Sequence, residues 1–427
     1  MIQSYENVKE DGVIHHYITL KPFPMVCSNC LSSDLVIKEY KSRTIKNAAL
    51  QNCPEIIHYR ARRYTCKNCG STFYEYNPFS VQAHRISTLV KTEVLNALRN
   101  PRVTYSDAAK SFHISSTEVI KIFDSYVDIN RIKLPSILCI DEIHIPMIAY
   151  RSTYVCVMMD FMSSDLIELL PTRFKLDLKR YFDAIPIVER NNVKYVCMDM
   201  WEPYRDVVKS RIKTAKIIID SFHVIEHLTR DFTSVRIRIM NRYETNTDSY
   251  YLLKKWNWLL TKKNVELDNE AKYNHRLKRY VNLRQLLNLQ LEINPELHKA
   301  YDLMNSYLAF NDLASVTNCR DWLNSLIHDF ISSEIQEYME FISLLQNWKE
   351  EILNSFINVN GRRISNGPME SLNGRIDKLE GNANGVKNYK RFRNRTILCF
   401  NKSVSYKLTD KYKTNKAEGK KRGTYKK

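Results

Sequence analysis

A set of short apolar runs, each closed by an acid, constrains the fold of this chain most tightly. Ile137-Leu138-Cys139-Ile140 runs into Asp141, and Tyr195-Val196-Cys197-Met198 runs into Asp199. Apolar runs of this length with polar borders predict buried strands. A carboxylate at the C-terminal end of a buried strand stands at the mouth of an α/β sheet, where open sheets place their ligands. A third acid, Glu370, follows Ser365-Asn366-Gly367-Pro368-Met369, a turn and cap with Pro suited to the first helical position. Carboxylates that meet repel one another unless a cation neutralises them, and hard oxygen donors select Mg²⁺ or Mn²⁺. Two such ions about 3.5–4 Å apart make the clamp that cleaves and joins phosphodiesters. Taken singly, each acid also fits a solvated strand end or a cap, so the flanking pattern must decide.

That pattern alternates. Strands are expected at Ile137–Ile140, Thr153–Met159, Leu166–Leu170, Val193–Met198 and Lys216–Ile219. Helices are expected at Leu176–Ala184 and Tyr204–Lys213, and from Phe222 onward. Three sequential strands followed by helix, strand, helix, strand is the order of an RNase-H-like fold. In that fold the first and fourth strand ends adjoin, which makes Asp141 and Asp199 neighbours. Asp220 ends the fifth strand and is the rival for the second acid. His223, three residues on, either orients a phosphate or an acid or is a satisfied helix-start histidine. Residues 236–360 predict a helical insertion, with helices at Tyr250–Lys262, Arg276–Leu291, Pro295–Phe310 and Ile327–Gln346. Residues 361–408 return to the α/β fold, with Glu370, Asn373 and Asp377 along one side of a helix that ends by Gly385. Tyr389 to Arg395 interleaves aromatics with Arg391, Arg393 and Arg395, a composition suited to phosphate and stacking contacts.

The N-terminal region carries a different signal. Cys27-Ser28-Asn29-Cys30 and Cys66-Lys67-Asn68-Cys69 supply four thiols at the spacing of a structural Zn²⁺ site. Asp34–Tyr40 and His58–Tyr64 alternate like strands, and Tyr17–Leu20 reads as a short one, so residues 1–80 predict a zinc ribbon. Its Arg60, Arg62, Arg63 and Lys67 suit a DNA backbone. Cys53 is a fifth, unpaired cysteine here; Cys139, Cys156, Cys197, Cys319 and Cys399 sit singly in apolar contexts as core residues. Residues 84–133 predict a helix over His84–Arg99, a short capped helix over Thr104–Phe112, a turn at His113–Ser115, and a helix from Ser116. This is a helix-turn-helix pattern, with Ser116, Thr117, Glu118 and Lys121 facing bases.

Composition narrows the partners. With 65 Lys and Arg against 47 acids the chain carries +18, which points to a polyanion such as nucleic acid. Residues 409–427 are expected to be a basic disordered tail with nonspecific phosphate contacts. No apolar stretch reaches the length of a membrane span and the start lacks a signal peptide, so a cytoplasmic, nucleoid-associated protein is expected.

Together the paired cysteines, the helix-turn-helix, Asp141-Glu142, Met198-Asp199-Met200-Trp201-Glu202-Pro203-Tyr204, Asp220-Ser221-Phe222-His223, Ser365-Asn366-Gly367 with Glu370 and Asn373, and Tyr389 with Phe392-Arg393-Asn394-Arg395 resemble the ISL-three family of bacterial insertion-sequence transposases. The likeness runs from about Cys27 to about Phe400. It implies a multidomain chain: zinc ribbon, helix-turn-helix, and an RNase-H-like DDE catalytic domain (134–235 and 361–408) interrupted by the helical insertion. It implies Asp141, Asp199 and Glu370 as the Mg²⁺-binding triad, and terminal inverted repeats and target double-stranded DNA as partners. Two element ends must meet, so a homodimer is expected. Asp377 and Glu380 depart from the basic character usual after the family's glutamate. Rival classes are a zinc-ribbon and helix-turn-helix regulator, a structure-specific nuclease without strand transfer, and an RNA-processing enzyme.

Overall fold

A computed structural model describes residues 2–48, 53–80, 84–262, 266–383, 387–406 and 408. The tail expected at 409–427 and the helix stop expected at Gly385 lie outside the described residues. The chain divides into two compact units. One comprises Met1–Ile132, Ile145–Arg151 and Asn373–Lys427; the other comprises Lys133–His144 and Ser152–Leu372.

The first unit opens with strands β1 (Ile2–Glu10), β2 (Val13–Leu20), β3 (Leu35–Asn47), β4 (Glu55–Cys66) and β5 (Thr72–Tyr74). They form one sheet in the order β1-β2-β4-β3, with β5 also on β4. Only β2 and β4 run parallel. Sequence reading finds only the last residues of β2, because β1 is exposed at nearly every position and shows no apolar period. The missed signal is Asp11-Gly12, a hairpin dipeptide with φ of 49° and 78°. Ile18, Ile45, Ile57, Tyr59 and Ala61 form the sheet's core.

Helices α1 (Thr88–Ala97), α2 (Tyr105–Ser111) and α3 (Ser116–Tyr126) follow, each begun by a hydroxyl cap. Ser87 Oγ accepts from Val90 N, Thr104 forms a capping box with Asp107, and Ser115 Oγ accepts from Glu118 N. Val90, Val94, Leu95, Ala108, Val119 and Phe123 meet in one core, which Leu398 completes. Leu398 belongs to the last helix, Tyr389–Phe400, which folds with these three helices. That helix is pinned by Arg391 to Asp124 (2.8 and 2.5 Å), Arg393 to the Ile129 carbonyl (2.8 Å), and Asn394 to the Val127 carbonyl (3.0 Å).

The second unit is built on β6 (Ile137–Ile143), β7 (Val155–Asp160), β8 (Leu166–Leu170), β9 (Tyr195–Met198) and β10 (Lys216–Ile219), in the order β10-β9-β6-β7-β8. Strands β6, β7 and β8 form an antiparallel meander; β9 pairs parallel with β6, and β10 parallel with β9. The apolar residues of β6, β7, β9 and β10 are almost all buried, as continuous apolar runs demand. Helices α4 (Lys175–Asp183), α5 (Ile187–Asn191) and α6 (Glu202–Arg211) connect strands, and α7 (Ser221–Met240) leaves the sheet after β10.

The insertion continues through α8 (Asp248–Lys255), α9 (Asn257–Thr261), hairpin β11 (Lys272–Asn274) and β12 (Arg279–Val281), and α10 (Leu283–Leu291). Then follow α11 (Pro295–Leu313), α12 (Cys319–Ser332), α13 (Met339–Asn347) and α14 (Lys349–Asn354). Two expected helices are corrected. Residues 276–282 belong to a hairpin and cap instead, because Asn282 and Gln285 form a capping box that starts the helix there. The helix expected over Ile327–Gln346 breaks at Glu334, whose φ is 57°. Hairpin β13 (Asn358–Val359) and β14 (Arg362–Arg363) turns on Asn360-Gly361, both at positive φ, and leads into α15 (Gly367–Ala383) and α16 (Tyr389–Phe400). Among the described residues no helix is long and apolar enough to cross a membrane.

Arg238 on α7 clamps this helical block. Its guanidinium reaches Glu296 at 2.7 Å and Glu337 at 2.5 Å. The arginine holds both carboxyls below their ordinary value. A depressed carboxylate contributes stability above its unfolded pKa and loses it as pH falls through the folded one. Glu337→Gln should therefore cost about 1 kcal/mol at pH 7, reduced for partial exposure. The gap to wild type should close as pH falls below the ordinary glutamate range. Urea titrations across that range check it; a gap independent of pH would contradict the clamp.

Candidate active site and metal centre

Strand register assembles the site. Ile140 lies opposite Met198 in the parallel β6–β9 pair, so Asp141 and Asp199 follow from adjacent strands. Burial pushes the Asp141 carboxyl up to about 7, with the Asp199 charge adding to it. Asp199 Oδ1 has two polar neighbours: His223 Nε2 at 2.9 Å and Asn366 Nδ2 at 3.2 Å. Its bond to Asp199 raises His223 to about 9, so the ring is an imidazolium at neutral pH.

Asp220 differs from Asp199. It is 4% exposed, and both oxygens accept from backbone: Phe222 N at 3.3 Å, capping α7, and Asn366 N at 3.1 Å. Asp160 likewise ends a strand yet serves a turn, accepting from Met162 N and Ser163 Oγ. A strand-end acid is thus not by itself a ligand.

Asn366 is the hinge of this arrangement. Its carbonyl accepts from Glu370 N at 3.0 Å, which starts α15, while its side chain turns to Asp199 instead of capping the helix. Its buried Oδ1 has no hydrogen-bond partner. Met369 and Leu372 bury the inner side of α15, and Glu370 is exposed in its first turn. The β13–β14 hairpin delivers this segment. Arg362 bonds the Phe161 carbonyl at 3.0 Å and lies over the Phe161 ring, and Arg363 lies over Phe356.

Sequence reading missed Asn366 as a site residue, and it missed Arg173. The Arg173 guanidinium bonds Glu142 and lies between the rings of Tyr154 (4.3 Å) and Trp201 (4.7 Å). Trp201 stood in a quoted motif; Arg173, after β8, carried no local signal.

The donor set suits a hard divalent cation. Two adjacent carboxylates, one with its charge disfavoured, and the orphaned buried oxygens of Asn366 and Glu142 are all oxygen donors. The carboxylates of Asp141, Asp199 and Glu370 do not lie within 4.8 Å of one another as a set; among the described residues only Cys27, Cys30, Cys66 and Cys69 form such a group.

Those cysteines form two matching knuckles. Leu31 N bonds the Cys27 carbonyl and Gly70 N bonds the Cys66 carbonyl, each at 2.9 Å. Both residues have positive φ, 59° and 69°. Sulfur separations of 3.6 Å (Cys27–Cys69) and 3.5 Å (Cys30–Cys66) are close to the roughly 3.8 Å edge of a tetrahedron with Zn–S bonds of about 2.3 Å. Hydrogen bonding with Ser71 lowers the Cys69 thiol to about 6, favouring the thiolate at that one position, whereas burial and its cysteine neighbours push Cys30 up to about 11.

The sequence profile of a transposase family, the ISL-three DDE group, matches residues 138–396, from β6 into α16 and through every acid above. The chain belongs to the ISL-three transposase family. It is also similar to the transposase for insertion sequence element IS1001 of Bordetella parapertussis, 21% identical over 258 residues. The match covers 59% of this chain and 63% of that transposase, so the chain spans less than two thirds of this relative's length.

Of the residues expected to face DNA, Ser116, Thr117 and Lys121 of α3 are exposed. Arg391 and Arg393 are engaged as described above, and Arg395 is buried against the Asn100 and Val103 carbonyls. Arg62 is also buried, paired with Glu75 at 2.9 Å.

Two outcomes follow. Full-length protein should hold one zinc per chain by elemental analysis, and Cys66→Ser should lose it together with the fold of the knuckles; a metal-free protein of undiminished stability would refute this site. Asp220→Ala should destabilise by about 2 kcal/mol by orphaning buried N–H groups, Asp199→Ala by less than about 1 kcal/mol. Equal losses in denaturant melts would mean that both acids are structural.

Proposed function

We propose that this protein binds the terminal inverted repeats of an insertion sequence, cleaves the DNA strand at its ends, and joins them to target DNA. Asp141, Asp199 and Glu370 are the acids of an RNase-H-like DDE site. The observation that carries this reading is the parallel β6–β9 register, which sets two carboxylates side by side with the charge on one disfavoured.

Asp141 and Asp199 would hold Mg²⁺ or Mn²⁺, with Glu370 joining from the first turn of α15. Bound there, the divalent ions supply charge neutralisation at the phosphate and acidify the attacking hydroxyl. The chain's own residues do the positioning. His223 and Asn366 fix the rotamer of Asp199, and Asp220 fixes Asn366. Arg173, held between two rings beside Glu142, presents a fixed cation next to the acids. No covalent protein intermediate is needed.

Three features support DNA as the partner. The net charge is +18. Ser116, Thr117 and Lys121 lie exposed at the start of α3, which follows α2 in a helix-turn-helix pair. Arg60, stacked on Tyr40 at 4.3 Å, is exposed on the zinc-ribbon sheet. A homodimer would bring the two element ends together.

The test is Mg²⁺-dependent nicking and strand transfer on DNA carrying the element's ends. Asp199→Ala and Asp141→Asn should each lower the rate at least about 10³-fold, on the order of 4 kcal/mol of barrier. Cleavage that survives Asp199→Ala would remove the triad; repeat binding with no cleavage by wild type would favour a regulator.

A further inference from the structure

A cavity of about 490 Å³ opens within the first unit, among α2, α3, α15 and α16. Its size falls in the roughly 300–1,000 Å³ range of small-ligand sites. Its walls are largely apolar, formed by Val103, Ile120, Leu379 and Phe392. Three cations also line it, Lys387, Arg391 and Arg395, and no Asp or Glu does among the described residues.

The arginines are not equivalent. Arg391 is matched by Asp124 at 2.5 Å. Arg395 is 4% exposed, and its Nη2 donates only to neutral carbonyls, those of Asn100 (3.0 Å) and Val103 (2.8 Å). Its Nη1 is buried with no hydrogen-bond partner, and so is the hydroxyl of Tyr105, which lines the same cavity. A buried donor left unpaired costs about 1–3 kcal/mol, and more for a charged group. Two such donors at one cavity wall, with an exposed lysine beside them, ask for a ligand rich in acceptors and negatively charged. The apolar walls ask for a flat, weakly polar body in the same ligand.

We propose that this cavity binds one nucleoside 5′-phosphate unit, with the phosphate toward Arg395, Tyr105 and Lys387 and the base between the apolar walls. The unit comes either from an unpaired strand end or from free nucleotide. The cavity also touches Thr104, Ser106 and Ser116 at the starts of α2 and α3, so the strand-end source rests on the reading of those helices as DNA-binding.

The test uses full-length protein and calorimetric titration with dAMP, with deoxyadenosine, and with a duplex bearing an unpaired 5′-phosphorylated nucleotide. The expected result is saturable dAMP binding that weakens about tenfold or more for deoxyadenosine and for Lys387→Gln. Val103→Trp, which fills the cavity, should abolish it. Ala383→Tyr fills the same space from an exposed helix end and stands in if Val103→Trp fails to fold. Competition between the overhang and dAMP assigns the strand end; dAMP binding alone assigns free nucleotide. No saturable binding of either probe, or binding indifferent to both filling variants, overturns the proposal. A gel shift with blunt repeat duplex keeps the two readings apart. Duplex binding without probe binding sinks the cavity alone, whereas probe binding without duplex binding sinks the helix-turn-helix reading and leaves the cavity standing.

Discussion

Repulsion between two carboxylates organises the second unit. Parallel pairing of β6 with β9 leaves Asp141 and Asp199 no way to separate, because both backbones are fixed by the ladder and both apolar runs are buried. Burial pushes the Asp141 carboxyl up to about 7, and the Asp199 charge beside it adds to the shift. The surroundings compensate from one side only. His223 and Asn366 bond Asp199, Asp220 bonds Asn366, and the chain that carries Glu370 starts from Asn366.

Apolar runs reveal buried strands well, since continuous burial on both faces leaves an unambiguous string such as Ile137–Ile140. The same logic fails for β1, whose side chains are exposed on both faces and whose trace in sequence is only the Asp11-Gly12 turn. It fails again in the insertion. Apolar spacing continues through Ile327–Gln346, but a single residue in the left-handed region at Glu334 breaks the helix, and side-chain periodicity carries no record of backbone φ. In the site, the acids were visible because charge at a strand end is conspicuous. Asn366 was not, because its part lies in where its amide points, a matter of tertiary contact. Arg173 lies 31 residues from the Glu142 it bonds, and nothing local marks it.

Charge is the least legible property of this chain. A surplus of arginine signals a polyanionic partner, yet several of the arginines are structural. Arg62 is buried, Arg236 donates to the Leu253 carbonyl inside the helical block, and Arg238 joins three elements. Guanidinium suits such posts because its planar fork satisfies several acceptors at once. The basic side chains left exposed are correspondingly fewer than the count of basic residues suggests, Arg60 on β4 and Lys121 on α3 among them.

The bond between Asp220 and Asn366 closes a long excursion of the chain. It joins residues 146 apart, so the chain that leaves the sheet after β10 comes back to its own starting point. Closure entropy grows only logarithmically, by about 0.6 kcal/mol for each doubling of length. The length of the excursion therefore adds little to the entropic cost of bringing its two ends together. What holds the excursion shut is the buried carboxylate that meets the backbone of Asn366, whose side chain bonds Asp199, so one bond serves both the insertion and the site.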